Sequence, residues 1–206
     1  NNMENRSAMT HIEQEIEKVF ANEVTLENYY IDQLKEGDKI TADAILLNGQ
    51  QLLTAVRPYI EETRSLIVLT RSISKKHLTE LLQIPRNENV LLVNDSEVST
   101  METLYMFYEL GIFHFTLIPF NENDYAAGAY KGISYAITPK EVQLVPREIE
   151  HVIDIGYREI GFDTLARLAD MLQLSSETLS SNLIHYLQSV VEPSMNSHNN
   201  YLESYV

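Results

Sequence analysis

The chain has no cysteine. That excludes disulfides, thiolate nucleophiles and Cys-ligated zinc. Cations are scarce: 15 Lys and Arg stand against 30 Asp and Glu, a formal net charge of −15. Phosphate backbones are held by clustered Lys and Arg, so the charge argues against nucleic acid as a direct partner. No apolar run approaches the ~18–20 residues of a membrane span. The start, Asn1-Asn2-Met3-Glu4, offers neither the basic nor the apolar region of a signal peptide, and a cytoplasmic location is expected. The motifs of nucleotide cradles, G-x-G-x-x-G and G-x-x-x-x-G-K-[ST], are missing, as is the G-x-S-x-G of a serine nucleophile. The six histidines, His11, His77, His114, His151, His185 and His198, are scattered without metal-ligand spacing. No cofactor, metal or catalytic apparatus is therefore expected.

What the chain does contain is near-repetition. Arg71, Ile73, Leu78 and Leu81 recur at one constant spacing as Arg158, Ile160, Leu165 and Leu168. Each run sits where an apolar strand gives way to a helix. Upstream, Met9 and Ile12 match Met101 and Leu104. With 44% apolar residues in 206, the chain can bury a core in one large domain or two small ones.

Apolar residues at Met9, Ile12, Ile16, Val19 and Phe20 predict a helix over 7–20. Val24–Ile31 reads as a strand and Gly37-Asp38 as a loop. Ala44–Leu47 and Leu66–Leu69 are short continuous apolar runs, as in buried parallel strands. A short helix to Arg57 is stopped by Pro58. Ser74 is a candidate N-cap for a helix through Leu82, and Pro85 closes the unit. The second half has strands at Val90–Val93, Phe115–Ile118, Ile133–Ile137 and Val152–Ile155. A helix from Glu97 to Leu110 ends at Gly111, a loop spans Asn121–Gly132, a short helical stretch lies near Arg147–Glu150, and Asp163 caps a helix over Thr164–Leu172.

Strands alternating with helices predict an α/β fold with parallel sheets. The expected architecture is two similar Rossmann-like or receiver-like units in pseudo-repeat, plus a C-terminal helix, with segments 1–86, 87–175 and 176–206. The second unit opens with a strand where the first opens with a helix. A first strand preceding Asn1 is therefore expected.

Ligands of open α/β sheets bind beyond the carboxyl ends of the strands. Those ends carry Asn48, Arg71, Asn94, Thr138 and Arg158, the candidate ligand-binding residues around a cleft. A guanidinium clamps a carboxylate or phosphate bidentately, so a small anionic metabolite is the expected partner. The alternative is that each Arg pairs with a local carboxylate or caps a helix. A receiver phosphoacceptor is not expected: Ala44–Leu47 ends in Asn48, the second unit offers Thr138, and Asp95 lacks an evident acidic partner for magnesium. The loop around Gly128–Gly132 could bring Tyr125, Tyr130 and Lys131 to a ligand, or simply connect.

Leu179, Leu183, Leu187 and Val190 form one stripe on a helix over 176–192, stopped by Pro193. This is either a signalling or homodimerising helix or one packed on its own core. Thr164–Leu187 has the look of helix-turn-helix. No Lys or Arg follows Arg167, so DNA binding there is not expected.

The second half carries Val93-Asn94-Asp95-Ser96, Glu109-Leu110-Gly111-Ile112 with His114, Leu117-Ile118-Pro119-Phe120, Ala136-Ile137-Thr138-Pro139, Leu144-Val145-Pro146, and Ile153-Asp154-Ile155-Gly156 with Arg158. Together these resemble the N-terminal region of certain bacterial sigma-54-dependent (NtrC-type) transcription activators, over Val90–Leu174 and more loosely before it. The resemblance implies a cytoplasmic, non-catalytic regulatory input region ahead of PAS and AAA+ domains. An enzyme or small-molecule-binding protein on a Rossmann-like scaffold is the alternative.

Overall fold

The computed structural model describes residues 2–61 and 65–193, with residues 2–6 as backbone alone. In chain order the first elements are α1 (Asn2–Phe20), β1 (Ala44–Leu47), α2 (Leu52–Val56), β2 (Ser65–Val68), β3 (Arg71–Ser72) and α3 (Leu78–Leu82). Then come β4 (Asn89–Leu92), α4 (Glu97–Glu109), β5 (Thr116–Pro119), α5 (Glu122–Ala126), β6 (Tyr135–Thr138), β7 (His151–Asp154), β8 (Glu159–Ile160), α6 (Phe162–Met171) and α7 (Glu177–Ser189). The fold is mixed α/β with parallel sheets. No helix among the described residues is long and apolar enough to cross a membrane.

The compact units are discontinuous in sequence. Unit 1 comprises Asn1–Arg71 with Ile160–Gln188, and unit 2 comprises Ser72–Glu159 with Ser189–Val206. The expected cuts after 86 and 175 follow the order of elements, whereas the chain changes unit inside β3, inside β8 and at the end of α7.

In unit 1, β1 and β2 pair in parallel, Ala44 opposite Ser65 through Leu47 opposite Val68. Ile40, Ile45, Leu47 and Val56 form a core over which Leu52, Leu53 and Tyr59 pack. The helical spacing of α1 is realised as a buried face of Ile12, Ile16, Val19 and Phe20. That face also carries Glu15, only 2% exposed. Its carboxylate accepts from the Ile160 amide at 3.1 Å and from the Tyr186 hydroxyl. The contact joins α1, β8 and α7, and gives the buried Glu15 carboxylate the partners its burial demands. Asn182 of α7 adds a 3.0 Å bond to the Val19 carbonyl. Leu179 and Tyr186 are buried, so α7 packs on its own unit. Residues 194–206, the end of the expected third segment, lie outside the described residues.

Unit 2 is a four-stranded parallel sheet in the order β5-β4-β6-β7. Registers run Leu92 opposite Pro119, Leu92 opposite Ile137, and Ile137 opposite Ile153. Alternate side chains point to opposite faces. Val90 and Leu92 join Ile137, Leu117 and Ile155 with Met106 and Phe107 of α4, Leu110 just after it, and Leu81 of α3. Leu91 and Val93 join Ala136, Val145 and Ile149 on the other face, with Ile118, Phe120, Tyr130 and Ile133 packed against them. Both faces are therefore covered, and each buried Leu, Ile or Phe contributes about 1.5–3 kcal/mol. Ser96 caps α4, its hydroxyl accepting from the Ser99 amide at 3.2 Å. At the other end Gly111 has φ +74°. The Ile112 amide returns to the Phe107 carbonyl and the Gly111 amide to Tyr108, both at 3.0 Å. This is the closure that a left-handed residue allows.

Several local expectations are corrected. Val24–Ile31 has no buried residue and no ladder partner, so its β-prone residues form no strand. The Asn121–Gly132 loop contains α5, because the Asn121 side chain accepts from the Asn123 and Asp124 amides. The short helical turn falls at Val142–Leu144 rather than Arg147–Glu150. Ser74 occupies a cap position but makes no side-chain cap bond. Gly161, not Asp163, is the N-cap residue of α6, and the Asp163 carboxylate is taken by the Thr70 hydroxyl at 2.5 Å.

The end of α6 repeats the α4 closure with the wrong residue for it. Gln173 has φ +54°, while the Leu174 amide bonds the Ala169 carbonyl at 2.9 Å. A side chain in that conformation costs about 1–2 kcal/mol relative to glycine. Gln173→Gly should therefore raise unfolding stability by up to about 1 kcal/mol after glycine's entropic cost. Urea denaturation of the two proteins measures the gain.

Candidate ligand site at the carboxyl edge of the four-stranded sheet

Strand order makes one edge of unit 2 special. From β4 the chain goes to β5 on one side, and β6 lies on the other. The connections diverge there, at the carboxyl ends of β4 and β6, which is the kind of place where open α/β sheets bind ligands. Asn94 and Asp95 follow β4, Thr138 ends β6, Phe120 follows β5, and Gly156–Arg158 follow β7.

Two of the expected ligand residues at this edge have side chains bonded to neighbouring segments. The Asn94 side-chain amide donates to the Thr103 hydroxyl at 3.2 Å, and its oxygen accepts from the Asp95 amide at 2.9 Å. Thr138 is fully buried, and its hydroxyl accepts from the Glu141 amide at 3.1 Å. Asn94 thereby ties the segment after β4 to α4, and Thr138 fixes the turn after β6.

Arg158 extends to α4, with its Nη1 3.2 Å from Glu102 Oε2. The pair is partly exposed, so water weakens it, and it remains open to competition by another anion. Behind it, Asp154 accepts from the Lys140 amide at 2.9 Å and the Gly156 amide at 2.8 Å. Gly156 has φ +70°, and a Cβ there would lie 3.4 Å from His77 Nε2. Lys140 Nζ lies 5.8 Å from the centre of the Tyr157 ring. Burial holds His77 below its usual range and Lys76 adds to this, while Glu80, Asp154 and Glu159 pull the other way.

Beside β5, Phe120 packs 5.9 Å from the Tyr125 ring centre and 5.7 Å from that of Tyr130. The Tyr130 oxygen accepts from the Asn121 amide at 2.9 Å. The Tyr125 phenol is raised above its usual range, chiefly by hydrogen bonding to Glu148, and Glu148 is correspondingly lowered.

The other two expected residues belong to unit 1. Arg71 Nη2 donates to Asn48 Oδ1, joining the residue after β1 to β3. Next to them the Thr70 amide bonds Thr164 Oγ1 at 3.0 Å, and the Gly161 amide bonds the Thr70 carbonyl at 2.8 Å. A Cβ on Gly161 would fall 2.1 Å from Thr70 Oγ1, so only glycine fits. The five candidates thus form two groups: Asn48 with Arg71 in unit 1, and Asn94, Thr138 and Arg158 in unit 2.

Glu102 and His77 were not among the expected site residues, and Asp154 entered only within the resembling segment Ile153–Gly156. Each is an ordinary residue made local by strand register, and no spacing in the chain marks it. No protein-family model, curated protein or solved structure matches this chain.

Because His77 is held below 6.5, the unfolded chain binds its proton more readily than the folded one. The stability associated with neutral His77 is present above about pH 6.5 and is lost as pH falls through its lower folded value. His77→Gln should flatten that acid-side decline, seen as a smaller drop in urea midpoint between pH 7 and pH 5 than in the parent.

Proposed function

We propose that the chain is the signal- or ligand-sensing N-terminal region of a bacterial transcription regulator of the sigma-54-dependent type, working in the cytoplasm without catalysis. The observation that carries this reading is where the resembling segments fall. Val93–Ser96, Leu117–Phe120, Ala136–Pro139 and Ile153–Gly156 occupy the carboxyl ends of the four strands of unit 2. Four of the six resembling segments therefore lie where a doubly wound sheet binds ligands.

A Rossmann-like pair in pseudo-repeat accords with the unit composition. Ile73 and Leu81, which follow β2, are fully buried in unit 2; Ile160 and Leu165, which follow β7, are fully buried in unit 1. The matched runs thus leave the unit of their preceding strand in the same way. The ligand proposed for this edge is a small anionic metabolite competing with Glu102 for Arg158, with Arg71 as its counterpart in unit 1. PAS and AAA+ domains would receive the signal, and a homodimer is the expected assembly.

Sequencing the native gene around this segment tests the reading. Coding sequence for PAS and AAA+ domains downstream of Val206 is expected. A stop codon directly after Val206 would remove the transcription-regulator assignment.

A further inference from the structure

The chain contains one Asn-Gly dipeptide, Asn48-Gly49, and the fold brings a cation to it. β1 ends at Leu47 and α2 begins at Leu52, so the dipeptide lies in the bend between them. Asn48 is exposed. Arg71 Nη2 donates to Asn48 Oδ1, which sets a guanidinium against the side-chain carbonyl.

A carboxamide is electrophilic at Cγ, and the peptide nitrogen of the next residue is a nucleophile on the same short segment. Its attack closes a five-membered ring, a reaction that gains its rate from proximity. A Cβ on the following residue crowds that attack, and glycine has none. The tetrahedral intermediate carries its negative charge on the former carbonyl oxygen. Arg71 already donates to that atom, so the bond strengthens as the charge develops.

The backbone does not demand glycine here. Gly49 lies outside the left-handed region. The atoms nearest to a Cβ on Gly49 belong to the Gln51 side chain, with Oε1 at 2.3 Å. That flexible carboxamide can swing aside for alanine. Gly49 is buried, but attack within the segment needs no incoming molecule, and water reaches the ring through exposed Asn48.

We propose that Asn48 is a site of spontaneous deamidation that Arg71 promotes. The Gly49 nitrogen loses its proton and bonds to Asn48 Cγ. The Cγ–Nδ2 bond breaks, and ammonia leaves with that proton, giving a cyclic imide. Water then opens the ring. Cleavage between Cγ and the Gly49 nitrogen leaves aspartate, and cleavage between the main-chain carbonyl carbon and that nitrogen leaves isoaspartate. No oxidant or reductant takes part. Each conversion adds one negative charge beside Arg71, which becomes its counterion. The chemistry is independent of any ligand at Arg71.

The test is incubation of the 206-residue chain in neutral buffer at physiological temperature, followed by peptide mass mapping over time. The peptide holding Asn48 should gain the mass difference between an amino and a hydroxyl group, and resolve into aspartate and isoaspartate forms. Gly49→Ala should slow the conversion at least about tenfold. Arg71→Met should slow it at least about threefold, with an unchanged circular dichroism spectrum. In denaturing urea, where the contact is absent, the parent and Arg71→Met should convert at one rate. No conversion at Asn48 in the parent would overturn the proposal, as would folded Arg71→Met converting as fast as the parent or faster. A rate difference that persists in urea would place the effect outside the folded contact and equally overturn it.

Discussion

Burial of a parallel sheet on both faces is the constraint on which unit 2 depends. Every strand of β5-β4-β6-β7 runs the same way, so each connection must cross back over a face. Cover on both faces leaves the strand ends as the places where backbone and polar side chains can meet a ligand. The residues at those ends are then fixed by register rather than by nearness in sequence. Asp95, Phe120, Thr138 and Arg158 come from four separate segments and occupy one edge because Leu92 pairs with both Pro119 and Ile137.

Unit 1 solves a related problem with fewer strands. Two paired strands bury little alone, and the unit is completed by residues from the far end of the chain. The Glu15 carboxylate, bonded to Ile160 and near Tyr186, gives those distant segments a fixed place on α1. A buried carboxylate with defined partners can hold one arrangement where an apolar surface would tolerate several.

The four-residue strands were readable because a buried parallel strand is a continuous apolar run. Ala44–Leu47 matches its run residue for residue, and the others shift by only one or two positions. Gly111 was readable because a left-handed closure favours glycine. The strand expected at Val24–Ile31 failed because β propensity needs a partner strand, which no local pattern supplies. α5 was hidden because its signal is the single cap residue Asn121. The discontinuous units were not legible, since contact between Ile160–Gln188 and the first 71 residues is a tertiary choice. At the site, Arg158 stood out as a rare cation, while its partner Glu102 is one of many acids. Asn94 and Thr138 sit at the expected edge, but their polar atoms bond α4 and the adjoining turns.

The central claim is that the carboxyl edge of the four-stranded sheet is the ligand-binding face. Crystals of the chain soaked in a mixed panel of small carboxylates and phosphates test it most directly. The account predicts bound density against Lys140 or Arg158. Density confined to other surfaces, or none at this edge under saturating conditions, would contradict it.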